Sequence, residues 1–420
     1  MGNALALSLG LHIVASTYQL TVTGATGMPS VETRDPWGAT PWRIDFTPPR
    51  KPLPESADFA IVGAGFTGLA AAAWLRLLAP EKSAVVLESG RIGNGASGRT
   101  GGLVLSETAA GDLPGLGDVL AGFQETLQKL GVDGDLDLRG AWEIARNDRA
   151  EKSENGRPPR GPSPIDWQDS GRLHVISEVP GGTLDPGRQV SGLAQAAERL
   201  GASVFENARV QHIRWSESPE LQFAGSRLRA DKILLATNAL SDDLSGLSST
   251  IYPKLTLAAR SAPLTDAQID AIGLAERKPF YTVDFPYLWG RVCRDNSIIW
   301  GAGLVDPPES GGLEKVDVAG GASAKMFSSL ENRVHNLHPA LAEAKFTHWW
   351  GGPIAFRKSF LPIFSHHPES RNGIVLGVFA GHGVALSVYL GAWAAEALLG
   401  RRKLPEWGRI GSETNTSKLW

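Results

Sequence analysis

Gly63, Gly65, Gly68 and Glu88 are the residues of this chain whose types and spacing most directly imply chemistry. The glycines follow the apolar run Phe59 to Val62 in GxGxxG spacing, with Phe66 and Thr67 between the last two. A glycine at 63 permits a tight turn, and one at 65 lets a pyrophosphate approach the backbone. The glycine at 68 lets the following helix sit close on the strand. That helix, expected from about Phe66 to Leu78, aims unpaired N–H groups and the positive end of its dipole at the phosphates. Ala84 to Leu87 supplies a second strand, and Glu88 follows Gly68 by 20 positions, near the spacing of a carboxylate that accepts from a ribose hydroxyl. Strand, turn, helix, strand and acid in this order predict a dinucleotide site in a Rossmann-like unit. NAD and FAD share the pyrophosphate and the ribose diol, so this motif leaves both open.

Two further segments favour a flavin. Gly93-Asn-Gly-Ala-Ser-Gly-Arg-Thr-Gly-Gly102 is dense in glycine and small residues, so its backbone N–H groups could wrap a second part of an extended cofactor. A surface loop would have polar neighbours on both sides, whereas Leu103-Val-Leu105 follows directly. Phe379-Ala-Gly-His-Gly383 is another strand-glycine-helix turn, whose helix N-terminus could stabilise negative charge on a reduced isoalloxazine.

The elements that position these turns alternate along the chain. Beyond the first unit, periodicity predicts strands over 171–176, 201–205 and 230–236, hairpin strands over 209–213 and 221–223, and a helix over 185–200. Ile251 to Ala302 contains several strand-like runs carrying Phe280, Tyr281, Phe285, Tyr287, Trp289 and Trp300. A helix from about Lys325 to Leu337, a strand from Ile374 to Phe379 and an apolar helix from Val384 to Leu399 follow. The expected fold class is α/β (α+β), with two domains. A Rossmann-like FAD-binding domain is assembled from 57–110, 180–245 and 350–405. A substrate domain on a mixed or antiparallel sheet takes 111–179 and 246–349. An N-terminal extension and arm (1–56) and a tail (406–420) flank them.

Composition narrows the function classes. Across 420 residues the net charge is −3 with no basic run, which argues against nucleic acid, since phosphate contacts need clustered Lys and Arg. Cys293 is the only cysteine; it excludes an intramolecular disulfide and a thiolate metal cluster, and reads as a small buried hydrophobe. No metal site is expected. The apolar patch Ala4 to Ala15 is too short to span a bilayer and has no preceding Lys or Arg, so neither a signal peptide nor a membrane span is expected and the chain reads as cytoplasmic. Arg34 to Pro54, rich in proline and tryptophan, predicts an extended arm on a folded body, and Glu151 to Pro164 a surface excursion.

With these motifs in place the chain resembles the FAD-dependent oxidoreductases of the D-amino-acid oxidase superfamily, which contains sarcosine oxidase, glycine oxidase and γ-glutamylputrescine oxidoreductase. The last is the nearest in Gly95-Ala-Ser-Gly-Arg-Thr-Gly-Gly102 and in the arm Asp35-Pro-Trp-Gly-Ala-Thr-Pro-Trp42. Arg229 to Ala239, Trp349-Trp-Gly-Gly352 and Ala380-Gly-His-Gly-Val384 complete the resemblance, which runs from about Asp58 to Gly400. It implies that Gly63, Gly65, Phe66, Thr67, Gly68 and Glu88 hold the ADP half of FAD, and that Ser97, Gly98, Arg99, Thr100 and Gly101 line the pyrophosphate and flavin. Val210 supplies backbone contacts to adenine, Thr237 and Asn238 close the floor, and Gly381, His382, Gly383 and Val384 face the pyrimidine end of the ring. His382 is either a turn residue bonded to backbone or a direct participant.

Three departures from the relatives bear on chemistry. No cysteine stands near Gly352, where relatives with covalent flavin have one, so the FAD is expected to be non-covalent. Ile299 occupies the place of a lysine that assists oxygen reduction, and Ile354 that of an arginine that clamps a substrate carboxylate. Arg291 and Arg357 could supply a cation near the pocket or be salt-bridged or surface arginines. Tyr287, Trp289, Trp300 and Trp349 could cage an alkylammonium group or pack in a sheet core. The expected activity is oxidation of the C–N bond of a primary or secondary amine by hydride transfer to flavin N5. The imine is then hydrolysed, with O2 as acceptor giving H2O2. A same-fold dehydrogenase passing electrons to a quinone or carrier protein and a non-catalytic flavin-binding partner subunit are the alternatives; the charge balance disfavours a tRNA-modifying enzyme.

Overall fold

The computed structural model describes residues 35–146, 156–159, 161–240, 242–309 and 311–410. The Ala4 to Ala15 patch, Arg34, most of the 151–164 excursion's first half and the end of the tail lie outside these residues. Asp35 onward forms one unit by itself.

The first unit forms as its periodicity dictates. β1 (Ser56–Val62), α1 (Phe66–Leu78) and β2 (Ala84–Leu87) follow one another, and the two strands pair in parallel from Phe59–Ala84 to Val62–Leu87. An alanine run, Ala70 to Ala73, keeps α1 narrow and buried from Phe66 to Leu75, which lets it lie against both its sheet and the helix Gly383–Leu398. Strand Arg227–Leu235 pairs with the other edge of β1, Ser370–Gly377 beyond it, and Ser203–Phe205 beside β2, all parallel. Ile363–His367 closes the sheet antiparallel, and the hairpin His212–Arg214 with Glu220–Gln222 branches from Arg227–Leu235. The strands therefore fan to both sides of β1, the arrangement that opens a crevice at the carboxyl ends of a parallel sheet.

The second sheet runs Phe346–Phe356, Tyr252–Ser261, Ile298–Val305, Trp289–Val292, Phe280–Thr282, Ala141–Ala145, Arg172–Val179 and Trp167–Gln168, antiparallel except between Phe280–Thr282 and Ala141–Ala145. Strand Phe346–Phe356 crosses the boundary expected at 350. Alternation divides this sheet chemically. Trp300, Phe280 and Trp167 point to one face, under helix Gly321–Leu337, with ring centroids 4.9–5.6 Å apart. Trp289, opposite Gly301, points to the other. Trp300 is fully buried and therefore belongs to the core, not to an aromatic cage.

The start of β1 is tied to the turn before β2 by Asp58, which accepts from Lys82 Nζ at 2.7 Å and from the Ser83 amide and hydroxyl at 2.8 and 2.7 Å. The Lys82 ammonium foremost, and then the two Ser83 donors, lower the Asp58 pKa from 3.8 to about 2 despite partial burial. A carboxylate whose folded-state pKa is depressed contributes stability above its unfolded value and loses it as pH falls through the folded one. We predict that Asp58→Asn flattens the acid limb of the stability–pH curve between pH 3.8 and about 2; urea melts across that range check it, and an unchanged limb contradicts the assignment.

Candidate cofactor and substrate site

A cleft of about 1290 Å³ runs from the β1–α1 turn past the 93–102 loop to the second sheet. Its ADP end is built by close approach. A Cβ at Gly63 would lie 2.7 Å from the Ala236 carbonyl, at Gly65 2.8 Å from Ser97 Oγ, and at Gly68 2.0 Å from the Gly63 carbonyl. Gly63 also has φ of +105°, the left-handed region where glycine carries no steric cost. α1 has neither a side-chain cap nor an acidic residue in its first turn, so its terminal N–H groups and dipole face the cleft with only Phe66 N committed, to Ser97 Oγ at 2.9 Å. Glu88 is held at the rim by the amides of Ala64 and Gly90, each at 2.9 Å. A carboxylate retains lone pairs beyond these two bonds. The adjoining segment Ala208 to Gln211, including Val210, is joined to it through Ala208 N and the Glu88 carbonyl at 2.7 Å.

The other end is closed by two strand-helix turns. Thr237 and Asn238 follow strand Arg227–Leu235, and Asn238, with φ of +47°, accepts from Val378 N at 2.8 Å through its side chain. That bond joins their turn to Val378–Gly381, whose backbone is left-handed at Val378, Ala380 and Gly381. Helix Gly383–Leu398 starts there with no side-chain cap and no acid in its first turn. Gly381, His382, Gly383 and Val384 line the cleft, as do Gly352, Ser97, Thr100 and Gly101. His382 Nδ1 lies 3.3 Å from the Ala380 carbonyl and Nε2 4.0 Å from Glu107, so the ring bonds to backbone and still faces the cleft.

Several predicted site residues take other places. Gly68 and Gly98 are absent from the lining; a Cβ at Gly98 would meet the Gly93 carbonyl at 2.5 Å, so its role is packing within the loop. Arg99 lines the cleft as expected, but its guanidinium is spent on the carbonyls of Asn94 and Gly38 at 3.0 and 2.9 Å, the latter in the arm. Arg357 is buried away from the cleft with its guanidinium spent on four carbonyls, those of Leu361, Pro362, Trp407 and Arg409, at 2.6–3.1 Å. Arg291 lies behind the lining, beside Gly102 and 5.0 Å from the Trp42 ring, with Nε unpaired; burial pushes its pKa down. Trp289 does line the cleft, its ring against Gly101 and Gly301.

Tyr287, read from the sequence as a possible cage residue, lines the cleft with Tyr281 and Phe285, whereas the carboxylates and arginines that hold this wall had no signal in the sequence. Tyr281 donates to Glu107 at 2.5 Å and lies 3.3 Å from Glu143, and with Tyr287 and Phe285 it forms a wall beside Trp289. Two-fifths of Tyr287 is open to the cleft, yet desolvation by the surrounding walls, and then the Glu107 carboxylate, raise its pKa and keep it a neutral phenol. The segment bearing Phe285 and Tyr287 is pinned from behind. Arg333 donates to the carbonyls of Pro286 and Tyr287 at 2.8 Å each, Arg146 to Pro286 at 3.0 Å, and both arginines pair with the buried Asp169. These partners lie more than a hundred residues apart in sequence for Arg333 with Asp169, and no local pattern announces them.

The cradles that a Cβ would fill, the uncapped helix N-termini and the held Glu88 fit an FAD with its pyrophosphate at the β1–α1 turn. The description "DAO: FAD dependent oxidoreductase" belongs to a family model that matches residues 58–397. The chain belongs to this family. It is 26% identical to the "Probable oxidoreductase OrdL" of Haemophilus influenzae over 398 residues, which cover 85% of this chain and 86% of that relative. It is 25% identical to the gamma-glutamylputrescine oxidoreductase of Escherichia coli over 385 residues, 82% and 84% of the two chains. The fold is that of glycine oxidase from Geobacillus kaustophilus, with a TM-score of 0.64, 18% identity and coverage of 83% and 96%. This DAO-family chain is thus an FAD-dependent oxidoreductase. No helix among its described residues is long and apolar enough to cross a membrane.

Removing the Glu88 carboxylate would strip the rim of its acceptor and leave the Ala64 and Gly90 amides unpaired. Glu88→Ala is expected to raise the FAD dissociation constant by about 10- to 100-fold, the worth of a charged hydrogen bond. Quenching of FAD fluorescence on titration with apoprotein measures it, and a wild-type affinity would show that Glu88 does not touch the ribose.

Proposed function

We propose that this chain oxidises the C–N bond of a primary or secondary amine that lacks an α-carboxylate. The observation that carries this is the wall opposite the Val378–Gly383 turn. It presents Tyr281, Tyr287 and Trp289 backed by the carboxylates of Glu107 and Glu143, while Arg333, the guanidinium at that wall, is committed to Asp169 and two carbonyls. Aromatic faces and carboxylates attract an ammonium, and a substrate carboxylate finds no uncommitted arginine there among the described residues. The name of the Escherichia coli relative, which refers to a putrescine derivative, supports an amine.

When bound, FAD supplies the two-electron acceptor for hydride from the substrate's α-carbon. The protein's part is to bind, orient and dry. Tyr281, Tyr287 and Trp289 hold the alkyl-amine against the flavin end of the cleft, and the apolar side chains of Ile354 and Phe356 exclude water around it. The uncapped N-terminus of helix Gly383–Leu398 stabilises the negative charge that develops beyond it. Deprotonation of the ammonium needs only an acceptor within hydrogen-bond reach, and His382 and the Glu107 side chain stand at that end. Water then adds to the released imine, yielding a carbonyl compound and the shorter amine or ammonia. The FAD is held non-covalently, as no cysteine stands near Gly352.

A dehydrogenase that hands electrons to a quinone or carrier is the second reading. Ile299, wholly buried against Ala258 and Trp350, puts a branched alkane where the family resemblance expects an oxygen-assisting lysine.

Anaerobic addition of a panel of alkylamines, diamines and N-methyl amino acids is expected to bleach the bound flavin with at least one amine lacking an α-carboxylate, and with none of the simple α-amino acids. Bleaching by glycine or proline alone would overturn the reading, and the rate of colour return in air separates oxidase from dehydrogenase. Arg333→Met, which frees the Phe285–Tyr287 segment, is expected to raise KM for the active amine about tenfold with a smaller change in kcat. Steady-state kinetics decide it; a loss confined to kcat would place Arg333 in the chemistry instead.

A further inference from the structure

The 93–102 loop that wraps the cofactor is held from both sides, and its outer side is covered by the arm. On the inner side Ser97 Oγ accepts from Phe66 N at 2.9 Å, next to Gly65. On the outer side Trp42 donates its indole N–H to the Thr100 carbonyl at 3.0 Å. Ile44 rests on Gly93 and Gly98, its δ-carbon 3.0 and 3.3 Å from where their Cβ atoms would stand. Arg99, 5% exposed, sends its guanidinium outward to Asp35 and to the carbonyls of Trp37, Gly38 and Gly351 at 3.4, 2.9 and 3.3 Å, and it lies 5.4 Å from the centre of the Trp37 ring.

The arm is anchored independently of the loop. Trp37 donates to the Leu313 carbonyl at 2.9 Å, Val318 N to the Pro36 carbonyl at 2.8 Å and Gly351 N to the Trp37 carbonyl at 2.7 Å. Further along, Asp45 N donates to Ser191 Oγ at 2.9 Å on helix Pro186–Arg199. It therefore spans from the second sheet to a helix of the first, with the cofactor loop beneath it. Arg99 carries a charge with one carboxylate within reach, and that carboxylate belongs to the arm. Without Asp35 a nearly buried guanidinium would be left to carbonyls alone, and the loop conformation that buries it would lose its reason.

We propose that residues 35–44 are a strap that locks the bound FAD, with Asp35 and Trp42 as positioning residues that hold the 93–102 loop closed. Ser97 sits at the β1–α1 turn and Thr100 and Gly101 line the cleft beyond it, so on this reading release of FAD waits on the loop opening and therefore on the strap lifting. The inference rests on the FAD site and is independent of the amine reading. A holoenzyme that no amine reduces still allows the test.

The experiment is release of FAD from purified holoenzyme into excess apoflavodoxin-type scavenger or buffer, followed by flavin fluorescence. Trp42→Phe keeps an aromatic ring, though a smaller one, and removes the N–H donor to the Thr100 carbonyl, and Asp35→Asn keeps the shape and removes the charge. Arg43→Ala, whose side chain is 88% exposed on the same arm, is the control. The expected result is release about fivefold faster for Trp42→Phe, the net worth of one hydrogen bond, and about tenfold faster for Asp35→Asn, with Arg43→Ala at the wild-type rate. Circular dichroism of each apoprotein shows whether the variants fold alike. Wild-type release rates in folded Trp42→Phe and Asp35→Asn, or equal acceleration by Arg43→Ala, would overturn the strap.

Discussion

How closely backbone can approach backbone at the β1–α1 turn is the constraint on which the remainder of the site depends. A pyrophosphate is held by N–H groups at hydrogen-bond distance, which leaves no space for side chains. At Gly68 the tolerance is tighter still, since a methyl there would lie 2.0 Å from the Gly63 carbonyl and force α1 off its strand. Once α1 lies that close, the alanines at 70–73 bring the helix Gly383–Leu398 against it, where Gly391 meets the Thr67 carbonyl. The second flavin-facing turn begins that same helix. The position of His382 is thus set, through two helices, by the size of residue 68.

The strand order adds the second half of this frame. β1 has β2 on one side and Arg227–Leu235 on the other, so the chain leaves its carboxyl end in one direction and returns on the opposite side. Glu88 and Thr237 then flank the turn from adjacent strands, and the crevice between them exists because no crossover passes over it.

The parts of this architecture visible in sequence are the local ones. The first βαβ unit, helix Pro186–Arg199 and the terminal helix follow from periodicities of a few residues, and their observed bounds fall within a few positions of expectation. The second sheet is built from pairings such as Trp289 with Gly301 and Tyr252 with Phe356, whose partners no short window contains. Aromatics occupy both faces of that sheet, so residue type alone could not say that Trp300 faces the core and Trp289 the cleft. The role of an arginine is hidden from residue type for a related reason. A guanidinium has five donors and a long apolar stem, so Arg357 can serve as a buried brace for four carbonyls and Arg99 as a bolt to the arm. Neither role differs in composition from a substrate clamp.

The distribution of charge in the cleft follows from the same bracing. Arg146 and Arg333 converge on Asp169 behind the Phe285–Tyr287 segment, and their remaining donors go to carbonyls of that segment. A buried network of this kind does little for net stability compared with an apolar core, but its loss leaves charges unpaired, so it holds a geometry firmly. What it holds is a wall whose aromatic side chains line the cleft and whose arginines are committed to Asp169, Asp284 and backbone carbonyls. At that wall the cleft is lined by Tyr281, Phe285, Tyr287 and Trp289 beside Asp284 and the committed Arg333, with the Glu107 and Glu143 carboxylates behind Tyr281. The proposed preference for a cationic amine rests on this aromatic and acidic surface.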